Sequence, residues 1–323
     1  MPSIISSVLR RLKPAPRPAA GYHSRFGGLW IDQLDAHREL EARARRDRRV
    51  AGLQDKIAHF IDKGYVILEG AVPHAAIDAY LRDLSGSREA AERLLASVPV
   101  AGPQDKAVIP LAQADLEAPL TKVLDTYVHL PSARELVFAP PIAEFLRAVF
   151  DDDILAFQGL HFEKGSTQDI HQDTAYVVSE EPMKLCASWI ALEDVVAGSG
   201  ELIYYPGSHR LPDWLYSGEF KHYNHERDKH EEHLAHLRSL HERSAERGLK
   251  LESFLPKKGD ALIWAADLAH GGSAIRDSSL TRRSLVTHYT PASTTPYYFR
   301  FIPEEKRRPV RHRPGCSYST MYY

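Results

Sequence analysis

Two short stretches of this chain carry residues whose types and spacing suit a divalent metal. In DIHQDTAYV an imidazole and a carboxylate, His171 and Asp173, stand two residues apart. The flanking residues read as strand, where side chains i and i+2 point to one face. His171 and Asp173 would then project together, with Gln172 turned away, and occupy adjacent positions on a metal. Taken alone, an H-x-D tripeptide fits an ordinary hydrogen-bonded surface pair equally well. A third ligand must come from elsewhere, and GDALIWAADLAHGGS places His270 at the end of another β-rich run. Two histidines and one carboxylate make the facial triad of non-haem Fe(II) oxygenases, which leaves three positions open for cosubstrate and O2.

The stretch LTRRSLVTHY adds a charge partner. As a strand it puts Arg282, Ser284, Val286 and His288 on one face. A dicarboxylate that chelates iron through a 2-oxo acid end has a distal carboxylate left over, and a guanidinium matches it with a planar fork. Arg282 or Arg283 can take that role, but only one of them can face inward. The alternative is a pair of solvated cations on an edge strand.

The elements that must position these residues follow from texture. From Ile154 onward, ILAFQGLHFEKG, AYVVSE, KLCASWIALED, GELIYYPGSH, DALIWAAD and RRSLVTHYTPA are short β-rich runs broken by Gly, Pro, Asp and Ser. That spacing implies an antiparallel sandwich or barrel. Gln158 falls on a strand expected at the barrel mouth, either touching cosubstrate or serving as a satisfied core amide. The first half reads as mostly helix. It has a charged helix over residues 32–64 with Leu40, Ala44, Val50, Leu53, Ile57 and Phe60 inward, then helices through IDAYLRDL and ARELVFAPPIAEFLRAVF. YVILEGAV reads as a first strand. Residues 1–30 read as a flexible arm, and 31–323 as one domain in which the helical half packs on a β core at 154–295. Residues 219–250 form a polar helical insert with six histidines. Its His233 and His236 are spaced to bind a metal, although a solvated charged helix is the simpler reading.

Bulk properties exclude several classes. A formal net charge of -2 over 323 residues gives no basic field for nucleic acid. No apolar run approaches the ~20 residues of a membrane helix, and two distant cysteines, Cys186 and Cys316, suit reduced thiols in the cytoplasm. The partner expected is a small molecule.

The ordered set HQD, LCASWIALEDVVAGSGELIYYPGSH, GDALIWAADLAHGGS and RRSLVTHY resembles the phytanoyl-CoA dioxygenase family, with FIDKGYVILEGAV and FEKG as its lead-in. The likeness covers most of residues 60–75 and 154–290. It implies an α+β fold with a mainly β core, a double-stranded β-helix (a cupin-like jelly roll) flanked by N-terminal helices. It also implies Fe(II), 2-oxoglutarate and O2 as cofactor and cosubstrates, with release of succinate and CO2. By the same resemblance His171, Asp173 and His270 are iron ligands, and Arg282, six residues before His288, anchors the cosubstrate. Ser273 assists it and Trp189 is an aromatic beside it. The family usually reads H-G-S, whereas this chain has His270-Gly271-Gly272-Ser273, one residue longer. Halogenating relatives lack the carboxylate that Asp173 supplies, so hydroxylation is the expected outcome. Desaturation, ring closure, epimerisation, or a non-catalytic metal-binding β-helix remain as alternatives.

Overall fold

The computed structural model describes residues 20–86, 92–102, 105–118, 120–307 and 309–322. Four strands form its centre: β5 (Ile154–Phe162), β6 (Cys186–Ala191), β9 (Ala261–Ala265) and β11 (Ser284–Pro291). Three of them are buried at every position, which explains the near-continuous apolar sequence of β6 and β9. Successive side chains alternate between two covered faces. With β1 (Tyr65–Leu68), β2 (Leu95–Gly102), β3 (Asp105–Pro110), β4 (Lys122–Leu124), β12 (Val310–Arg313) and β13 (Cys316–Tyr318) they build a ten-stranded sheet. Its main order is β1-β9-β6-β11-β5-β4-β2-β3. Neighbours are antiparallel except β13, which runs parallel to β5. A second sheet has the order β10-β7-β8, from β7 (Leu202–Tyr204), β8 (Glu252–Phe254) and β10 (His270–Gly272).

Alternation sends one set of residues to each face. Trp189, Leu262, Trp264, Val286 and Phe162 meet Tyr204, Leu202 and Phe254 between the sheets. Ile154, Ala156, Ile190, Ile263, Leu285 and Tyr289 point the other way, into a core shared with the helices. Those helices are α1 (Ala36–Ala44), α2 (Arg48–Gly52), α3 (Gln54–Lys63), α4 (His74–Gly86), α5 (Pro131–Val137) and α6 (Pro140–Phe150). Gly64 ends α3 in the left-handed region at φ 77°, its N–H bonded to Phe60 O at 2.8 Å. The next residue can then enter β1. This is the double-stranded β-helix with flanking helices that the strand texture and the resemblance implied.

Several expectations change in detail. The single helix over 32–64 is three, because Asp47 caps α2 through its side chain on Arg49 N and the chain turns at Leu53. Leu40, Val50, Ile57 and Phe60 are buried as expected, with Ala44 and Leu53 partly so. The 131–150 pattern divides at Ala139, since Pro140 and Pro141 can only start a helix. The first half is less helical than its composition suggests, because β2, β3 and β4 extend the large sheet there. AYVVSE is not a strand; Asp173–Ala175 is a 3-10 turn. Of the arm expected over 1–30, residues 1–19 lie outside the described residues. The rest is held down: Ser24 Oγ and Arg25 N donate to Asp213, and Leu29 and Trp30 are buried. The insert contributes one helix, α7 (His230–Glu246), after a non-helical stretch.

Candidate metal centre

The two histidines are brought together by backbone pairing. His171 and His270 form an isolated antiparallel bridge, exchanging N–H···O bonds of 2.9 and 3.0 Å. Their rings lie 4.4 Å apart. Gln172 remains extended with its side chain turned away, its amide donating to Asp267 O at 2.8 Å. Asp173 then enters the 3-10 turn, which swings its carboxylate back between the two imidazoles. Its Oδ1 is 3.7 Å from each Nε2. The pair faces one way as expected, but a bridge followed by a turn achieves it, not a continuous strand. Among the described residues, His171, Asp173 and His270 are the one group of ligand types whose donor atoms converge, all within 4.8 Å.

The surroundings set the chemistry of these donors. His171 Nδ1 faces Asp169 O at 2.8 Å and His270 Nδ1 faces Leu268 O at 2.9 Å. A carbonyl only accepts, so each Nδ1 carries the proton and each Nε2 offers a lone pair into the centre. Burial lowers the His270 imidazole to about 4, so it is neutral and ligand-ready at neutral pH. Burial alone would raise the Asp173 carboxyl, but the His270 and His288 imidazoles beside it hold it well below the usual carboxylate range. Trp264 Nε1 donates to Asp173 Oδ2 at 2.7 Å and His288 Nε2 lies 3.4 Å from the same oxygen. Two imidazoles and one ionised carboxylate suit iron(II).

Neither Trp264 nor His288 was singled out from sequence as a partner of Asp173. A signal existed for the first, since a buried tryptophan usually finds an acceptor for its N–H. Replacing Trp264 by Phe keeps the ring and removes that donor. Iron(II) affinity should fall ~10- to 100-fold, as for other lost outer partners of metal ligands. Anaerobic competition with a chelator measures it, and an unchanged affinity would show that the Trp264 bond orients nothing.

The Arg282/Arg283 alternative is resolved by Glu163 and Glu193. Arg283 turns outward, its Nε bonded to Glu163 Oε2 at 2.6 Å and its backbone N to Glu193. Arg282 N donates to Glu163 O at 2.8 Å, which directs its side chain into the space between the sheets. There the guanidinium is 2% exposed, 5.4 Å from the Trp189 ring and 5.5 Å from Phe162. Arg282 Nε and Trp189 Nε1 are both buried without a hydrogen-bond partner. Burial lowers Arg282 to about 10 against the pull of Glu201, so it stays charged. A buried guanidinium with an unmet Nε donor suits the distal carboxylate of 2-oxoglutarate.

Glu163 also carries a pH prediction. Burial would raise its carboxyl, but bonds from His161 and Arg283 bring it down from 4.5 to about 2. A depressed carboxyl stabilises the fold above its unfolded value, and that stability is lost as pH falls from 4.5 towards 2. The contribution is at most ~3 kcal/mol. Thermal melting between pH 5 and 2.5 should therefore slope less steeply for Glu163→Gln than for the parent.

Ser273 follows β10, its N–H bonded to Glu201 O at 2.9 Å. The two glycines before it are sterically required. A Cβ on Gly271 would stand 2.6 Å from Gln168 O, and one on Gly272 2.6 Å from Ser166 Oγ. The 166–170 segment crosses β10 at this point. Gln158 pairs in register with His288 on β11 and lines a cavity beside the triad. His209 bonds Ile61 O at 3.0 Å from its Nε2, a loop role as expected. The insert helix is not wholly solvated. His233 and His236 are buried, and His233 bonds Tyr176 and Tyr216 hydroxyls at 3.0 Å each. Tyr176 stands edge-on to His171 at 5.5 Å. From the same insert, Lys221 pairs with Asp213 and with Asp267, which accepts from Thr174 Oγ1 at 2.5 Å. The insert is thus tied to the turn that carries Asp173.

A histidine–carboxylate–histidine cluster within a double-stranded β-helix, with an arginine buried between its sheets, defines the class of iron(II)- and 2-oxoglutarate-dependent oxygenases. The chain belongs to the phytanoyl-CoA dioxygenase family, whose model matches residues 60–284. Solved structures share the fold at low identity. The epimerase SnoN of nogalamycin biosynthesis aligns at 18% identity and TM-score 0.53, over 81% of this chain and 93% of its own. The carbocyclase SnoK of the same biosynthesis aligns at 15% identity and TM-score 0.54, over 80% and 94%. EctD from S. alaskensis, solved with bound Fe, aligns at 18% identity and TM-score 0.50, over 88% and 85%. No curated protein matches the chain in sequence. Among the described residues no helix is long and apolar enough to cross a membrane.

Proposed function

We propose that the protein hydroxylates a C–H bond of a small-molecule substrate, with residues 31–323 acting as one oxygenase unit. His171, Asp173 and His270 hold iron(II). Arg282 takes the distal carboxylate of 2-oxoglutarate, with Trp189 packed on its guanidinium, Ser273 at the margin and Gln158 on the side facing the substrate cavity. When bound, iron(II) and 2-oxoglutarate together supply, with O2, an oxidant able to remove hydrogen from an unactivated carbon.

The residues of this chain orient and shield that chemistry. Nδ1–H bonds to Asp169 O and Leu268 O fix both imidazoles. Leu262, Val286 and Trp189 keep water from the space between the sheets. Asp173 keeps the third protein position occupied by carboxylate, which favours hydroxylation over halogenation. The observation that carries the reading is Arg282: a non-catalytic metal-binding relative has no use for a guanidinium buried between the sheets with an unmet Nε donor. Two buried free thiols, Cys186 and Cys316, fit a reducing compartment such as the cytoplasm.

The test is incubation with a metabolite pool under isotopically labelled O2. Hydroxylation yields succinate together with a product that gains one labelled oxygen. Succinate with an unlabelled, isomerised or dehydrogenated product would replace hydroxylation by epimerisation, cyclisation or desaturation.

A further inference from the structure

A cavity of about 150 Å³ lies beside the triad. Two residues join it to the metal centre: Tyr176, edge-on to His171, and Gln158, paired in register with His288. Seven of its twelve lining residues are aromatic, and none is Lys, Arg or His. The rings come from separate parts of the chain: Phe157 on β5, Tyr176 after the Asp173 turn, Tyr223 from the insert, Tyr298 beyond β11 and Tyr322 from the C-terminal tail. Convergence of aromatics from five segments on one small space is costly to arrange by packing alone, since several keep a hydroxyl to satisfy.

The cavity also contains one charge. Asp125 lines it and is 5% exposed. Its carboxylate accepts from Gly159 N at 2.6 Å, Thr320 Oγ1 at 2.5 Å and Tyr127 Oη at 3.2 Å. All three donors are neutral. A buried carboxylate held this way is stabilised by a nearby positive charge. Ring faces are the negative pole of the aromatic quadrupole, and a box of them attracts a cation. Phosphate or carboxylate groups would meet aromatic rings and an acid with no cation among the lining residues, so the walls disfavour anionic substrates such as acyl thioesters of nucleotide carriers.

We infer that this cavity binds an organic cation, an ammonium-type group on a small apolar skeleton, and that this group places the substrate beside the metal. The inference rests on the oxygenase reading for its catalytic meaning, but binding itself needs neither iron nor cosubstrate. Tyr223 and Asp125 are the residues that recognise the charge.

The experiment uses the full chain without metal, titrated with choline and with its neutral isostere 3,3-dimethylbutanol, read by calorimetry. Choline should bind at least tenfold more tightly. Tyr223→Leu keeps apolar area and removes the π face; it should cut that preference at least threefold, and so should Asp125→Asn. Because Asp125 holds three structural bonds, a poorly folded Asp125→Asn protein leaves the decision to Tyr223→Leu. Equal binding of the two probes, no choline binding, or a preference unmoved by Tyr223→Leu overturns the inference. The iron(II)–2-oxoglutarate absorbance of the same protein is read separately, so loss of the cation preference with that absorbance intact rejects only this inference.

Discussion

Replacing Arg282 by Met should raise the dissociation constant for 2-oxoglutarate ~30-fold to several thousand-fold while leaving the protein at least as stable without ligand. The first half follows from what the guanidinium would contact. Removing one member of a buried, hydrogen-bonded charge pair costs ~2–5 kcal/mol of binding, and each 1.4 kcal/mol is tenfold. The second half follows from the unliganded protein. Arg282 is 2% exposed, its Nε has no partner, and it faces Trp189 and Phe162. Methionine fills similar volume against those rings without a charge to desolvate. Arg282→Lys should recover only part of the binding, since an ammonium cannot fork onto a carboxylate. Equilibrium binding of 2-oxoglutarate to the anaerobic iron(II) protein and thermal melting without ligand supply the two readouts. A Met variant that melts much lower and binds 2-oxoglutarate normally would make Arg282 a structural residue.

Asp173→Ala should lower iron(II) affinity by more than ~100-fold, beyond the ~10- to 100-fold typical of a lost outer partner. At neutral pH Asp173 carries a formal negative charge beside the neutral His270. Alanine removes that charge and one of three donors together. It also leaves Trp264 Nε1–H without its acceptor and His288 Nε2 without its neighbour, so a modest loss of stability of ~1–3 kcal/mol accompanies it. Chelator competition gives the affinity. A variant that retains iron within a few-fold of the parent would move the metal away from Asp173.

Much of the β core was legible in the sequence because the central strands are buried on two faces. Their apolar runs are long for strands but are bounded by Gly, Pro and Asp, and β1, β5, β6, β9 and β11 fall where those runs do. The helical half was less so. Its 95–124 region pairs into the large sheet through contacts made by β5 to β4, a long-range effect that local periodicity does not encode.

The candidate site was legible in its ligand types and not in its local structure. Strand alternation selected His171 and Asp173, yet Asp173 faces the histidines because a 3-10 turn begins there. The choice between Arg282 and Arg283 depended on Glu163 and Glu193, which sequence alone does not place beside them. The burial of His233 and His236 depended on Tyr176 and Tyr216 from other segments. In the last two cases the deciding partner comes from another segment of the chain.

The central claim is that this chain binds iron(II) and 2-oxoglutarate together through His171, Asp173, His270 and Arg282. Anaerobic addition of iron(II) and then 2-oxoglutarate to the purified protein tests it most directly. A weak visible charge-transfer band should appear only with both present, saturate at one equivalent of iron, and be absent from Asp173→Ala. For Arg282→Met it should require far more 2-oxoglutarate. No band in the parent protein, or an identical band in both variants, would contradict the account.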